Sequence, residues 1–362
     1  MQRLFTEIKG TPLLWLLVFV PLVIFGHHAW PEAHTRLFFL SVLAIVPLAA
    51  LLSIATESVA ERTGDAVGGL INATLGNLTE LVIALTALKA GQYALVKASI
   101  AGAIVTNSLF MLGGAFLLGG LTHHVQDFNR VGAKFQASLL FIAVVALLVP
   151  SAVATADRVT DVASLQNLSA ILAVLLICGY VLAMVFSLGS HKELFASAGH
   201  GQSHGEPLPI AVALPTLAVV TVLVALVSEI FVGSVTVAGE NLGLSPAFVG
   251  FIVVSLVGGA AEFASAFSAA RKDRLDLSVS IALGSAAQIA LFVAPVLVLL
   301  SYVLGPTPMG LDFWPGAIVM MLIAALTAAL LTNGGHSTWF LGALVIMVYV
   351  IFGATLYILP PV

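Results

Sequence analysis

Two acidic residues, Glu80 and Glu262, lie in the middle of long apolar segments in separate halves of the chain. Each belongs to a short motif that begins with glycine, GNLTEL from Gly76 and GGAAEF from Gly258. A charged side chain at the centre of a lipid bilayer costs about 2.5–3.5 kcal/mol on insertion scales, so a carboxyl group there indicates a functional site. The matched positions predict that the two carboxyl groups act together.

The similarity between the halves continues beyond the glutamates. The stretch ALKAGQYALVKASIAGAIVTN from Ala87 aligns with AARKDRLDLSVSIALGSAAQ from Ala269 when one residue is gapped. This alignment matches Asn107 with Gln288, so each half adds an amide to its carboxyl group. Hydroxyl side chains lie nearby in both halves: Ser99, Thr106, Ser108, Ser280 and Ser285.

The candidate ligands are all oxygen donors, and the motifs contain no histidine or cysteine. Hard cations such as Ca²⁺ bind about six to eight oxygen atoms, whereas zinc and copper sites recruit histidine or cysteine. The chemistry favours Ca²⁺ over a transition metal, with the two glutamates as the metal ligands. The predicted cation- and proton-binding residues are Glu80, Glu262, Asn107, Gln288, Asn77, Gly76, Gly258 and Ser285.

Two carboxylates offset the charge of one divalent cation. When the cation leaves, protons replace it, because like charges at close range and a low dielectric disfavour two ionised carboxylates. Cation release and proton uptake at the same groups form a minimal antiport mechanism. The alternative is a structural role, in which the glutamates and amides only hydrogen-bond to neighbouring helices.

The composition indicates an integral membrane protein. Of the 362 residues, 60% are hydrophobic and 8% are charged, whereas a soluble domain carries about 25% charged residues. Apolar runs long enough to cross a bilayer predict an all-α membrane protein with about eleven transmembrane helices. The spans are predicted near 13–30, 36–54, 67–88, 94–118, 134–151, 166–188, 209–230, 244–270, 276–302, 313–332 and 338–358.

The predicted helices divide into a first helix and two five-helix repeats. Because five is an odd number, the second repeat crosses the membrane in the opposite sense, and such inverted repeats place a substrate site near the bilayer midplane. Lysine and arginine concentrate on one side, which predicts a cytoplasmic N-terminus and an outside C-terminus. The predicted segments are an N-terminal helix at 1–34, repeats at 35–189 and 209–362, and a linker at 190–208.

The linker is the one substantial polar stretch between spans, SHKELFASAGHGQSHGEPLP from Ser190. It is interpreted as a His-rich, solvated cytoplasmic tether, with local metal binding by His191, His200 and His204 as the alternative. The single cysteine, Cys178, excludes a disulfide framework. The net charge of −4 includes no basic stripe, which argues against nucleic-acid binding.

A second pair of glutamates stands at the predicted ends of the second and seventh spans. Glu57 in ATESVAE and Glu229 in LVSEIFVG each follow a threonine or serine. They are candidate gate or proton-path residues, with ordinary solvation at a helix end as the alternative.

Over nearly the whole chain, the sequence resembles the cation/proton exchangers (CAX) of the calcium/cation antiporter superfamily. GGLINATLGNLTELVIALTALKAG and VKASIAGAIVTNSLFMLGGAFLLGG resemble the first family motif, and VGFIVVSLVGGAAEFASAFSAARKDRLDLSVSIALGSAAQ the second. The resemblance implies eleven helices, two inverted repeats and alternating access. By matched position, it also implies that Glu80 and Glu262 are the central cation and proton ligands, with Asn107, Gln288 and flanking backbone completing the shell.

Two residues depart from the family pattern in the second motif. Where the family usually reads GNAAEH, this chain has Gly259 in place of asparagine and Phe263 in place of histidine. One polar ligand and one titratable group are therefore missing from the second half. The departure leaves the cation preference open.

The residues and the resemblance together predict a secondary active antiporter that exports Ca²⁺ from the cytosol in exchange for protons. An enzyme is not expected; the sequence has no P-loop pattern, and no cofactor is expected besides the transported Ca²⁺ and H⁺. The expected location is the inner (plasma) membrane, within the lipid bilayer. The alternatives are Na⁺-coupled exchange, Mn²⁺ or other divalent specificity, a cation channel, or a non-transporting membrane scaffold. The sequence leaves the oligomeric state undetermined.

Overall fold

The protein is nearly all helical. A computed structural model describes residues 8–63, 65–156, 162–191 and 207–361. In chain order the helices are α1 Pro12–Ala29, α2 His34–Arg62, α3 Asp65–Leu75, α4 Leu78–Lys89, α5 Tyr93–His123, α6 Arg130–Ala156, α7 Val162–Ser190, α8 Ile210–Asn241, α9 Pro246–Gly258, α10 Ala260–Arg271, α11 Leu275–Leu304, α12 Pro315–Leu331 and α13 Trp339–Ile358.

Many of these helices are built to cross a membrane. In the described part of the chain, 8 helices are long and apolar enough, and the number rises to 9 if the bent pair α9–α10 forms one span. The helix α12 is also apolar but shorter, and α3 and α4 follow each other as a second interrupted pair. The predicted all-α membrane fold is confirmed, whereas the predicted number of eleven helices is compatible with these elements and stays a prediction.

Two of the predicted spans are interrupted. The span predicted at 67–88 is two helices, α3 and α4, that break at Gly76 and Asn77. The span predicted at 244–270 is α9 and α10, which bend by 59° at Gly259. The helices break at these positions because glycine and asparagine are poor helix formers. The flanking residues are apolar, so the hydropathy stays high across each break.

The two repeats share further irregularities. Helix α5 contains a π-helical segment at Thr106–Met111, and α11 contains one at Ile289–Val293. The first segment includes Asn107, and the second follows Gln288 directly. Short π-helical segments inside α-helices are frequent at functional sites. The sequence repeat is thus matched by a repeat of backbone shape.

Two helices are longer than their hydropathy predicts. The second and seventh spans were expected at 36–54 and 209–230, but α2 ends at Arg62 and α8 ends at Asn241. Glu57 and Glu229 therefore lie within helices, and their predicted placement at helix ends is wrong. Charged residues lower the hydropathy of a segment without interrupting its backbone hydrogen bonds, which explains the difference.

Contacts between the repeats hold the molecule together. Helices α2 and α8 form the most extensive helix pair, and α5 packs along α13. A small antiparallel ribbon joins β1, Val125–Asp127, to β2, His336–Thr338. At the opposite end of α5, Lys97 forms an ion pair with Asp312, with 2.9 Å between Nζ and Oδ1. The core is continuous across both repeats.

Candidate cation and proton site

The two central glutamates occupy equivalent places in the fold. Glu80 is the third residue of α4 and Glu262 is the third residue of α10, so each lies in the first turn after a helix break. The start of a helix carries a partial positive charge that stabilises a nearby carboxylate. The breaks therefore place two helix N-termini inside the protein, each with a carboxyl group.

Both carboxyl groups line one small cavity, called here the Ser53 cavity. Its polar and glycine lining consists of Ser53, Gly76, Thr79, Glu80, Gly258 and Glu262. Elements from both repeats contribute to it, namely α2, α3 and α4 from the first and α9 and α10 from the second. The glycines and glutamates of the two matched motifs are thus brought to a common site.

A chain of hydrogen bonds ties the predicted amide and hydroxyl residues together across the repeats. Asn107 Nδ2 donates to Ser285 Oγ at 2.9 Å, and Ser285 Oγ donates to Asn77 Oδ1 at 2.6 Å. Asn77 Nδ2 then donates to Gln288 Oε1 at 2.6 Å. Asn77, Asn107 and Ser285 are buried. The network fixes which amide atoms act as acceptors and holds α5, α11 and the α3–α4 break in register.

One carboxyl oxygen at the site accepts no hydrogen bond from the described residues. Glu262 Oε2 is buried and has no hydrogen-bond partner among the described residues. Ser285 lies next to the Glu262 carboxyl group, so the amide network reaches the carboxylate. A buried carboxylate oxygen without a donor is costly unless a cation or a proton occupies it. This atom is consequently suited to bind one or the other.

The two predicted glycines serve close packing. A Cβ at Gly258 would lie 3.0 Å from Glu80 Cγ, so the second repeat presses directly on the carboxyl side chain of the first. A Cβ at Gly76 would lie 3.8 Å from Gln288 Oε1, and it would approach the Asn72 carbonyl oxygen at 2.7 Å. Small residues at these positions leave the glutamate and glutamine side chains room beside the backbone.

The second glutamate pair is not equivalent in the structure. Glu57 is partly buried and its Oε1 accepts a hydrogen bond of 3.0 Å from Ser53 Oγ, a residue of the Ser53 cavity. Glu229 is exposed on α8 and does not line that cavity. Of the two candidate gate or proton-path residues, the structure therefore places only Glu57 next to the site.

Some site residues escaped prediction. Ser53 and Thr79 line the cavity, although neither stood out in the repeat. Ser53 precedes Glu57 by one helical turn, so the i, i+4 spacing could have linked them. The aromatic cluster of Phe110, Phe263, Phe267 and Tyr349 was also missed, because Phe110 and Tyr349 lie far in sequence from the other two.

The donor set fits a transported hard cation better than a resident metal centre. No group of three or more His, Cys, Asp or Glu side chains that could hold a metal occurs in the described part of the chain. The site instead offers two carboxyl groups with amide and backbone oxygens, the ligands that Ca²⁺ takes. His200, His204 and most of the predicted linker lie outside the described residues; the His191 ring stacks on Phe186 with 4.3 Å between centroids.

Comparison with known proteins identifies relatives along the full chain. The family model "Sodium/calcium exchanger protein" matches residues 34–189 and 212–358. The chain is 42% identical to a Ca(2+)/H(+) antiporter of Synechocystis sp., covering 97% of this chain and 98% of the relative. It is 38% identical to the Ca(2+)/H(+) antiporter ChaA of Bacillus subtilis, covering 94% and 97%.

Solved structures show the same architecture. The structure of native YfkE superposes with a TM-score of 0.82 at 36% identity, covering 95% of this chain and 98% of YfkE. An H+/Ca2+ exchanger CAX superposes with a TM-score of 0.70 at 15% identity, covering 98% and 93%, and it supports the fold alone. The chain belongs to the sodium/calcium exchanger family and, within it, to the cation/proton exchangers.

Proposed function

We propose that the protein is a secondary active Ca²⁺/H⁺ antiporter. The observation that supports this function best is the convergence of one carboxyl group from each inverted repeat, Glu80 and Glu262, on the Ser53 cavity. The names of the relatives at 42% and 38% identity point to the same exchange.

In this proposal, Ca²⁺ is held between the two carboxylates. Carboxylates supply at most about four oxygens, so the remaining ligands come from amide side chains, backbone carbonyls at the helix breaks, and water. Asn77 lies at the α3–α4 break and donates a hydrogen bond to Gln288, and the hydrogen-bonded oxygens of both amides each keep a second lone pair. The cation is the cargo, and no resident cofactor takes part.

Exchange follows from electrostatics at the same two groups. When Ca²⁺ leaves, two neighbouring carboxylates in a buried cavity repel each other, and protonation removes that repulsion. When Ca²⁺ returns, it displaces the protons because ligands bind a metal in their deprotonated form. The cation and the protons are therefore bound in turn, which is the requirement for antiport.

The protein is a multi-pass membrane protein, and we propose the plasma membrane as its location. The helix ends near Arg62, Arg130 and Arg271 together hold more lysine and arginine residues than the opposite helix ends, such as the one near Lys89. The positive-inside rule then supports a cytoplasmic N-terminus and an external C-terminus. In this orientation the Ser53 cavity lies on the cytoplasmic side of Glu80.

Ion flux into vesicles tests the proposal. The purified protein in proteoliposomes should take up radioactive Ca²⁺ when a pH gradient is imposed, at a rate well above protein-free vesicles. A Na⁺ gradient at constant pH should drive no uptake, and competing Mn²⁺ measures the selectivity among divalent cations. Uptake driven by Na⁺ alone would favour Na⁺-coupled exchange, and Ca²⁺ flux without any gradient coupling would favour a channel.

A further inference from the structure

Glu80 also lines a second cavity, called here the Val254 cavity. Two serines, Ser99 and Ser255, line it with Glu80. The other lining residues are aliphatic: Ala84, Ile100, Ala103, Val254, Ile289 and Val293. Glu262 lines the Ser53 cavity but not this one. The carboxyl group of Glu80 thus stands between two separate spaces.

The two cavities face opposite ends of the helices. The Ser53 cavity takes its residues from the second half of α2, towards Arg62, and from the two helix breaks. The Val254 cavity takes its residues from the first half of α5 and the second half of α11, towards Tyr93 and Leu304. An ion that crossed the protein through Glu80 would therefore pass from one cavity to the other.

The Val254 cavity is apolar in spite of its two serines. Ser99 Oγ donates to Val96 O at 2.8 Å, and Ser255 Oγ lies 3.2 Å from Gly250 O and 3.3 Å from Ser99 O. Both hydroxyl hydrogens are donated to helix carbonyls, so the two serines offer water no hydrogen-bond donor. Small cavities with aliphatic walls stay dry, and apolar constrictions block ions by excluding water.

Close packing of α5 against α9 borders the Val254 cavity. Gly102 of α5 lies against the backbone of Phe251 on α9, where an added Cβ would collide with the carbonyl oxygen of Phe251. A Cβ at Gly250 would lie 2.5 Å from Ala98 Cβ. The two helices, one from each repeat, therefore leave no side-chain space between them beside the Val254 cavity.

We propose that Val254, Ile289 and Val293 form a hydrophobic gate that keeps water and protons from reaching Glu80 on this side. This inference rests on the proposed antiport, because an exchanger loses its coupling if protons reach Glu80 from both sides at once. With the gate closed, water and protons reach Glu80 from the side of the Ser53 cavity and not through the Val254 cavity. Opening the α5–α9 contact would hydrate the gate and expose Glu80 to the opposite side.

Nearly isosteric substitutions test the gate. Val254→Thr and Val293→Thr keep the side-chain shape, and each adds one hydroxyl oxygen that can accept a hydrogen bond from water even when the hydroxyl hydrogen is donated to a helix carbonyl. The proton flux into proteoliposomes without Ca²⁺ should rise about fivefold, the factor that corresponds to one net hydrogen bond of about 1 kcal/mol. Val298→Thr is the matched control, since Val298 is buried on α11, the helix that carries Val293, and lines neither cavity. Its proton flux should equal that of the parent protein.

The route of the flux is tested by removing the carboxyl group. Adding Glu80→Gln to the Val254→Thr/Val293→Thr protein should return the flux to the level of the parent. An unchanged flux in well-folded single and double variants overturns the gate, and so does an increase that survives Glu80→Gln or that Val298→Thr reproduces. The assay contains no Ca²⁺, so failure of the antiport proposal appears separately, as absent Ca²⁺ uptake by the parent protein.

Discussion

The ring of Phe263 occupies the space that a side chain at Gly259 would need. A Cβ at residue 259 would lie 2.7 Å from Phe263 Cζ and 3.0 Å from its Cε1. The ring is buried and packs against Phe110 and Phe267, with centroids 5.5 Å and 6.3 Å away. The two departures from the family motif are therefore one sterically matched pair.

This steric match predicts that substitutions at residues 259 and 263 have coupled effects on the free energy of unfolding. Gly259→Asn alone should destabilise the protein by about 1–3 kcal/mol, the usual cost of overpacking. Phe263→His removes the atom at the Cζ position, so the double variant should recover part of that loss. Thermal unfolding of the two single variants and the double variant measures the coupling, and strictly additive effects would contradict it.

The same double variant should change the pH dependence of transport. Histidine titrates near neutral pH, whereas phenylalanine does not, and position 263 directly follows Glu262. Proton-driven Ca²⁺ uptake measured across pH should show a shifted optimum relative to the parent. A superimposable profile in a stable double variant would show that residue 263 acts in packing only.

Neutralising either central carboxyl group should stop exchange. Glu80→Gln and Glu262→Gln keep the shape of the side chain but remove the charge that balances the cation. Proton-driven Ca²⁺ uptake should fall to the level of empty vesicles, while expression and elution on gel filtration stay normal. Near-normal uptake by either well-folded variant would exclude a site built from two carboxylates.

Removing the hydroxyl at the centre of the amide network should weaken cation binding. Ser285→Ala removes the acceptor of Asn107 and the donor to Asn77, and it leaves both buried amides with an unmet partner. An unsatisfied buried polar group costs about 1–3 kcal/mol, so the apparent affinity for Ca²⁺ should fall about tenfold. Ser301→Ala is the control, because Ser301 is also buried but hydrogen-bonds outside the site, to Val298 O and Met309 N.

The histidines of the linker should be dispensable for transport if the linker is only a tether. Replacing His191, His200 and His204 with alanine should leave proton-driven Ca²⁺ uptake within about twofold of the parent, because solvated loop residues contribute little to stability. Uptake measured with and without added Zn²⁺ separates the two interpretations. Lost uptake, or a Zn²⁺ response that disappears with the histidines, would assign the linker a role of its own.

The sequence predicted the residues of the site more accurately than it predicted the shape of the surrounding helices. Matching the repeats selected Glu80, Glu262, Asn107 and Gln288, and the structure brings all four into adjoining positions. Ionisable and amide residues are rare inside apolar segments, so their positions carry strong information. The roles of these residues in transport stay predictions.

The glycines before the two glutamates are where interrupted helices were expected, but the hydropathy pattern showed neither the helix breaks nor the gate, for one physical reason. Hydropathy reports how apolar a residue is, and it does not report which neighbour that residue contacts. Gly259 interrupts a helix without changing the hydropathy of its surroundings, and Val254 has the same hydropathy at a closed gate as it would facing lipid. The sequence likewise gives Phe263 the pattern of an ordinary core residue, and only the structure shows that its ring lies beside Gly259.

The ribbon between β1 and β2 constrains the order in which the protein can be assembled. Val125 pairs with Thr338, so a strand from the first repeat finds its partner only after the second repeat has been synthesised as far as Thr338. The hydrogen bonds of Asn77 and Asn107 to the second repeat impose the same delay on the site. Pairings between residues far apart in sequence form slowly, because the entropy of closing a long loop is lost before the contacts stabilise the pair. The first repeat must therefore wait in the membrane with polar groups unmatched, and a ribosome that stalls in the second repeat would leave it in that vulnerable state.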